Sequence, residues 1–477
     1  MSAPAAVGRV LPTMNEDGTR RWLRPRPSHG KHFVRRRRLA YALMIVFFAI
    51  PYLRMNGKPL VLLDLPRRQF TFFGTTFLPT DTLLLMLLMA SILITIFLLT
   101  ALFGRVWCGW ACPQTVYMEF LFRPIERWLE GGPSGSRIMD SKGARGLFAP
   151  RRLIKYGIYL LLALFLAHTF LAYFIGIDQL AVWVRRSPVQ HPTSFAIMAL
   201  VTTGIMLDFT YFREQVCLVA CPYGRVQSAL LDRQSLIVAY DAKRGEPRMK
   251  GKVRPPSAGD CIDCGACVAT CPTGIDIRDG LQMECIHCTQ CADACDDIMT
   301  RVGKPTGLIR YSSSAALAGE RVKRVRPRVI LYPLALAMTL GGFAFALGTK
   351  ATADVTILRG LGEPYVIEAD GRVANQVRVK IANRSRADHQ YTIDVSGIEQ
   401  ANVIAPDNPL PVAAGATEMT TMFVLVPRGE FHDGETRALI TIYDNAGYRE
   451  TFPYRLVGPE GHDGEPAEHG EHGEQAK

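Results

Sequence analysis

Cysteine is missing from both ends of this chain of 477 residues: all 12 cysteines lie between Cys108 and Cys295. A secreted disulfide scaffold would not confine them so. Glycine and proline, 41 and 30 residues, are too few for a collagen-like or linker-dominated chain. Charge is scarce beside the 48% of apolar residues, which excludes general disorder. Acidic residues are short in one half only. Residues 1–349 hold 43 Lys and Arg against 23 Asp and Glu, whereas residues 350–477 hold 12 against 20. That asymmetry points to membrane-surface contact or to two environments rather than to nucleic acid, and the length calls for more than one domain.

Charge is wholly absent from Thr82–Phe103, which is long enough to span a hydrocarbon core of ~30 Å at about 1.5 Å per residue. Leu153–Ile177 and Val329–Gly348 are two further clear spans, the first holding only Lys155 near its start. Leu39–Leu53 and Ser194–Phe212 are weaker; Arg35–Arg38 and Arg54 are expected to snorkel from the ends of the former, and Asp208 to sit at the interface in the latter. Five helices are therefore predicted. Lys and Arg number ten before the first, then four, nine, two and eighteen in successive connections. This alternation places the N-terminus and the second and fourth connections in the cytoplasm and everything after Gly348 outside. No cleavable signal is visible, so the first apolar run is expected to remain as an anchor.

Eight cysteines form two runs, Cys261, Cys264, Cys267, Cys271 and Cys285, Cys288, Cys291, Cys295, each spaced C-x2-C-x2-C-x3-C. Three thiolates at that spacing wrap three corners of a cubane, and the fourth crosses to the other cluster. One [4Fe–4S] cluster is assigned to Cys261, Cys264, Cys267 and Cys295, the other to Cys285, Cys288, Cys291 and Cys271. Over residues 255–305 the chain resembles a bacterial two-cluster ferredoxin, departing from it where Asp296 stands in place of the first run's Pro272. A pair of structural zinc sites is the competing reading, but a third cysteine at the same short interval is excess for tetrahedral zinc.

The other four cysteines repeat. Phe103-Gly-Arg-Val-Trp-Cys108-Gly-Trp-Ala-Cys112-Pro113 follows the second span, and Cys217-Leu-Val-Ala-Cys221-Pro222 follows the fourth. If the helix continues, each pair is one turn apart on one face. If the proline opens a new helix, Cys112 and Cys221 cap it, where amides and dipole favour thiolate. Repeated hairpins are expected to bring both pairs to one cytoplasmic face. Soft thiolates suit Cu(I), with zinc, a regulatory dithiol or plain packing as alternatives.

Other groups weigh less. His168 and Tyr173 lie within a span, and interhelical hydrogen bonding is the expected role of the histidine. Met86 and Met89 are read as packing rather than copper thioethers. His462, His469 and His472 sit in a Gly- and Glu-rich tail read as solvated.

Residues 355–457 alternate like strands, notably Val373–Asn383, Tyr391–Val395, Met419–Val426, Ala438–Tyr443 and Arg449–Leu456, with turn signals such as Asp370-Gly371. About seven strands there suggest an immunoglobulin-like sandwich without catalytic groups, an interaction module. The expected architecture is a polytopic α-helical membrane protein with a cytoplasmic ferredoxin-like segment and an exterior β-sandwich. Its segments are a basic disordered tail (1–34), a membrane domain (35–253), the cluster domain (254–305), a basic linker (306–328), the fifth helix (329–348), the sandwich (355–457) and a disordered tail (458–477).

This order of motifs closely resembles the CcoG/FixG/RdxB family over roughly residues 30–460. The resemblance implies a cytochrome c oxidase accessory protein of the bacterial inner membrane that supports copper delivery to the cbb(3)-type oxidase. It further implies reduction of Cu(II) to Cu(I), with Cys108, Cys112, Cys217 and Cys221 as the copper or reduction site and the two ferredoxin runs as electron source. A copper chaperone or copper-transporting ATPase and oxidase assembly factors would be its partners, beside an unknown electron donor and no nucleic acid. Membrane ferredoxins of the NapH/NosR type, which oxidise quinol, carry similar C-x3-C-P pairs and are the nearest alternative. A non-redox assembly scaffold is the third.

Overall fold

The computed structural model describes residues 12–459 apart from 16, 56, 66–68, 78–80, 252–254, 323–324, 350 and 386. The chain divides into two compact units, residues 1–345 and 346–477.

Among the described residues of the chain, four helices are long and apolar enough to cross a membrane: Thr82–Phe103, Pro150–Ile175, Pro192–Phe212 and Pro327–Gly348. We label the helices α1 (Lys31–Ala49), α2 (Thr82–Phe103), α3 (Val106–Trp110), α4 (Pro113–Tyr117), α5 (Arg123–Glu130), α6 (Pro150–Ile175), α7 (Ile177–Val184), α8 (Pro192–Leu207), α9 (Pro222–Leu230), α10 (Gln290–Arg301) and α11 (Pro327–Gly348). A π-helical turn over Asp208–Phe212 extends α8.

The fifth expected span falls on a helix of 19 residues whose first half holds five lysine and arginine side chains. Leu39–Leu53 is the second half of α1 and a following 3-10 turn, and this helix is not among the four. Its arginines do not simply snorkel: Arg36 is wholly buried and donates from Nε to the Gly109 carbonyl at 2.8 Å. Between α1 and α2 a small antiparallel sheet, β1 (Val61–Asp64), β2 (Gln69–Phe72) and β3 (Thr75–Phe77), fills a connection that had no predicted structure.

The cluster segment is broader than expected. Strand β4 (Ile237–Tyr240) pairs antiparallel with β5 (Ile309–Ser312), so residues 306–312 are not linker but one wall of the ferredoxin-like core. Val238, Tyr240, Leu308 and Ile309 pack there with Ile275, Ile277, Met299 and the cysteines, because a small cage needs apolar walls on the side away from its thiols.

The described part of residues 1–34 is not a free tail. Arg24 forms ion pairs with Glu126 and Asp140, Leu23 is buried against Gly274, and the Arg26 carbonyl accepts from Thr270 Oγ1 at 2.7 Å. Where this strap enters α1, the Asp293 carboxylate accepts from the amides of His32 and Phe33 at 3.1 and 2.7 Å. An aspartate from α10 thus satisfies amides that the first turn of α1 leaves open.

In the second unit two sheets form the sandwich. Strands are β6 (Ala353–Arg359), β7 (Val366–Ile367), β8 (Val373–Asn383), β9 (His389–Ser396), β10 (Asn402–Ile404), β11 (Leu410–Val412), β12 (Thr417–Val426), β13 (Glu435–Asp444) and β14 (Arg449–Val457). One sheet runs β10-β12-β8-β6 with β7 beside β8, the other β11-β9-β13-β14. The five strands expected from alternation all form, within a few residues of their predicted ends; the nine exceed the expected seven through the two- and three-residue pieces. Val377, Val379, Ile381, Met422, Val424, Ile440 and Ile442 close the interior completely.

Candidate functional site

The two cysteine runs fold into two cages. Cys261, Cys264, Cys267 and Cys295 line one cavity with about 340 Å³ of empty space, together with Tyr240, Met299 and Leu308. Cys271, Cys285, Cys288 and Cys291 line a second of about the same size, with Cys267 at its edge. The last cysteine of each run therefore stands with the other run's first three, as the spacing predicted. The runs wind alike: Asp263 and Gly265 in the first, His287 and Thr289 in the second, take left-handed backbone conformations at the same offsets. Such alternation turns peptide N–H groups into a concavity that favours negative charge.

Among the described residues no three His, Cys, Asp or Glu side chains converge tightly enough to hold one metal ion. Tetrahedral zinc needs that convergence; a [4Fe–4S] cubane, with one thiolate on each iron, needs four thiols held apart around a cavity. The residues present fit the cubane. Without it, burial pushes the thiols of Cys267, Cys285 and Cys295 up to about 12, so the cages are stable as thiolates only against a positive centre.

The C-x3-C-P motifs take the second of the two geometries weighed above. Pro113 and Pro222 open α4 and α9, and Cys112 and Cys221 are their N-caps in extended conformation. The helix ends do not win the thiol, however. Burial raises Cys112 although the amides of Gln114 and Thr115 pull the other way, and it pushes Cys108 up to about 11 and Cys217 to about 12. Neighbouring thiols add to this: Cys217 is raised further by Cys112, Cys108 and Cys221, so the two motifs do share one neighbourhood.

What sequence spacing did not reveal is how closely this neighbourhood abuts the second cage. Cys108 packs with Ile286, Cys288 and Tyr223. A methyl group on Gly109 would lie 2.5 Å from the Ile286 carbonyl oxygen and 2.9 Å from the Cys288 backbone, so only glycine allows the loops to touch. The Arg105 amide donates to His287 Nδ1 at 3.1 Å, and its guanidinium donates to the Met283 carbonyl. Trp110 Nε1 donates to Tyr311 Oη at 2.8 Å, which donates to the His287 carbonyl at 2.9 Å. His287 is buried, and burial followed by the Arg105 charge holds it neutral, down to about 3. Behind the pair, Cys108 Sγ donates to Gln227 Oε1 at 3.0 Å, and the Gln227 amide donates to Thr100 Oγ1 at 3.1 Å. The one hint in the sequence was glycine directly after the first cysteine.

A second feature escaped the sequence reading: a buried ion network beneath the motifs. Glu119 receives Arg123 at 2.7 Å and Arg127 at 2.8 Å, Arg123 reaches Glu214 at 3.3 Å, and Arg213 meets Glu126 at 3.0 Å. Arg152 and Lys155 at the start of α6 both hold Glu130, at 3.1 and 2.6 Å. Burial alone would raise Glu119 and Glu126, but Arg123 and Arg127 on the first, and Arg213 and Arg24 on the second, outweigh it and hold both at about 2. The i, i+4 spacing of Glu119 and Arg123 was visible; that the pair is buried was not.

The weaker candidates separate. Asp208 accepts from Gln114 Nε2 at 2.8 Å, tying the end of α8 to α4. Tyr173 bonds across helices to the Phe47 carbonyl at 2.6 Å, whereas His168 does not: its Nδ1 lies 2.7 Å from the Leu164 carbonyl one turn back in its own helix. Met86 and Met89 are exposed on the outside of α2. His462, His469 and His472 lie outside the described residues.

Comparison with known proteins agrees with the cages and the sandwich. A 4Fe-4S dicluster domain family matches residues 212–314, a 4Fe-4S binding domain family matches 85–131, and the family described as the IG-like fold at the C-terminal of FixG matches 343–459. Protein RdxA of Cereibacter sphaeroides is 33% identical over 87% of this chain and 92% of its own length. Nitrogen fixation protein FixG of Rhizobium meliloti is 31% identical over 87% and 88%, and protein RdxB of Cereibacter sphaeroides 33% over 80% and 84%. With these relatives matched over most of its length, and with four apolar helices, iron–sulfur domains and the FixG-type C-terminal fold of its own, the chain is a membrane iron–sulfur protein and belongs to the CcoG/FixG/RdxB family.

Proposed function

We propose that this protein carries single electrons through its two cages to copper at the C-x3-C-P thiols, reducing Cu(II) to Cu(I) for delivery to a cbb(3)-type oxidase. The contact of Cys108 and Gly109 with Ile286 and Cys288 carries the reading, because it sets a soft-metal thiol pair against a wall of the second cage. When bound, two [4Fe–4S] clusters supply one-electron donors. Cys261, Cys264, Cys267 and Cys295 would hold one, Cys285, Cys288, Cys291 and Cys271 the other.

The remaining parts belong to the chain itself. Cys108 and Cys112, or Cys217 and Cys221, would offer copper the soft thiolates that select Cu(I). Because burial keeps these thiols protonated, metal capture must release protons, and Cys108 then gives up the hydrogen bond it donates to Gln227 Oε1. Arg105 lowers the cost of the Cys108 thiolate, and Arg36 that of Cys288. Hydrogen bonds from Arg105 and Trp110 to the His287 and Tyr311 side fix the two loops in register, which keeps any electron path short.

The Lys and Arg bias favours cages in the cytoplasm and the sandwich in the periplasm of a bacterial inner membrane, where the sandwich would dock assembly partners and a chaperone or exporter would collect Cu(I).

Anaerobic protein with reduced clusters, mixed with Cu(II) and a Cu(I)-specific chelator, tests the reading. Cluster reoxidation matched by Cu(I), lost in the variant with Cys108, Cys112, Cys217 and Cys221 changed to Ser, supports it; clusters that stay reduced beside Cu(II) overturn it. A second reading follows from the 4Fe-4S binding domain match across Cys108 and Cys112: the four thiols hold a further cluster. Iron content decides, since two cubanes need about eight iron atoms per chain and a third would bring about twelve.

A further inference from the structure

Between the first C-x3-C-P motif and α6, residues 123–149 form a lobe whose two sides are reversed. Its three short helices, α5, Gly132–Ser141 and Ala144–Leu147, pack on one another and on the opening of α6. A helix that faces water turns its apolar side chains inward and its charges outward. In α5 the buried residues are instead Arg123, Glu126 and Glu130, while Trp128 keeps 77% of its surface free. At about 100° per residue Trp128 stands nearly opposite those three. Ile138 in the second helix and Phe148 just after the third are exposed as well. Ion pairing explains the charges inside; nothing in the chain covers the apolar groups outside.

The charges of the lobe are sorted in the same way. Its three carboxylates are all engaged, Glu126 by Arg213 at 3.0 Å, Glu130 by Lys155 at 2.6 Å and Asp140 by Arg152 at 2.5 Å. Arg123 and Arg127 are held by Glu119. That leaves Arg137, Lys142, Arg145 and Arg151, all exposed, and among the described residues none of their side chains has an ion pair or hydrogen bond. The outer face therefore carries four positive charges and no unpaired carboxylate.

The ion pairs also set the height of the lobe. Arg152 and Lys155 lie in the first two turns of α6, where the exposed side of that membrane-length helix opens with Leu153 and Ile154. Trp128 is two residues from Glu130 and Ile138 two from Asp140, so these apolar groups stand level with the start of the apolar span. We propose that the lobe is a membrane-surface site for anionic phospholipid. Trp128, Ile138 and Phe148 enter the headgroup boundary, and the four free cations meet lipid phosphates. A soluble protein fits this face less well, because its apolar groups continue into the lipid-facing side of α6. The site has its own ligand and does not rest on the copper reading.

The test uses the full chain with its clusters in phosphatidylcholine nanodiscs that contain spin-labelled phosphatidylglycerol or spin-labelled phosphatidylcholine. The immobilised fraction should be larger for phosphatidylglycerol. In the variant carrying Arg137→Gln, Lys142→Gln, Arg145→Gln and Arg151→Gln that preference should fall at least twofold with cluster absorbance unchanged. A second measurement needs none of those changes: in discs of phosphatidylcholine brominated near the headgroup, the natural chain should lose more tryptophan emission than Trp128→Phe. Either of two results overturns the proposal. Equal lipid preference in the natural chain and the fourfold variant removes the anionic site, and equal quenching of the natural chain and Trp128→Phe puts the face in water, open to a soluble partner instead.

Discussion

The two units are stabilised by opposite means. The sandwich closes an interior of Val, Ile and Met side chains that needs nothing from outside the chain. The larger unit instead buries thiols that burial holds protonated and a set of carboxylates that arginines and Lys155 keep charged. An apolar core is indifferent to metal and to pH; a core of cages and ion pairs depends on both. The contrast separates a part that can be a passive support from a part whose integrity reports its loading.

The strongest way to break this comparison is to remove the metal. Changing Cys285 and Cys288 to Ser should cost about half the iron and destabilise the first unit, because apparent metal-binding energy in small sites is folding energy, of order 10 kcal/mol. Calorimetry of the full chain should then show the sandwich transition unmoved. If both transitions fall together, the units are not independent in stability.

Next comes the reverse experiment. Ile440→Ala in the sandwich should cost about 2–5 kcal/mol of that unit alone, seen as a lowered unfolding midpoint with cluster absorbance intact. Arg123→Ala should have a comparable effect on the other unit, about 3–5 kcal/mol, by leaving Glu119 and Glu214 with a lost partner in a buried place.

Acid sharpens the same contrast. Glu119 and Glu126 have pKa values depressed to about 2 from 4.5, so their contribution is complete above about pH 4.5 and disappears as pH falls through about 2. Stability of the first unit, followed by near-UV dichroism, should decline across that window, and Glu126→Gln should flatten the decline.

A smaller effect is expected from Gly109→Ala. The added methyl meets backbone at Ile286 and Cys288, an overpacking that costs about 1–3 kcal/mol and parts the loops, so copper reduction should slow with both clusters still present. Smallest of all is Arg301→Ala, which breaks an exposed pair with Asp297 worth under about 0.5 kcal/mol.

What was legible in the sequence follows the same division. Strand alternation from Val373 to Asn383 was readable because one face of that strand is buried and the other is not. The cysteine runs were readable because ligand spacing is set by the group they hold. The ion network was not, since a period shows where charge lies and not whether it is covered: Glu119, Arg123 and Glu126 look the same on a solvated helix. The strap at residues 17–30 was misread for the same reason, its Arg24 finding the buried Glu126 and, beside it, Asp140, both more than a hundred residues away, rather than water or lipid. Residues 306–312 looked like linker because their partner strand, Ile237–Tyr240, lies ahead of the cysteine runs.

The clasp of Asp293 on the amides of His32 and Phe33 has a consequence for how the molecule is made. The start of α1 takes its cap from a residue synthesised some 260 residues later, between Cys291 and Cys295. Until that late helix folds, and it folds around a cage that has to be filled, the opening turn of α1 has its amides uncovered. Cofactor insertion is thereby coupled to the final seating of α1, so that filling a cage late in the chain completes a helix early in it.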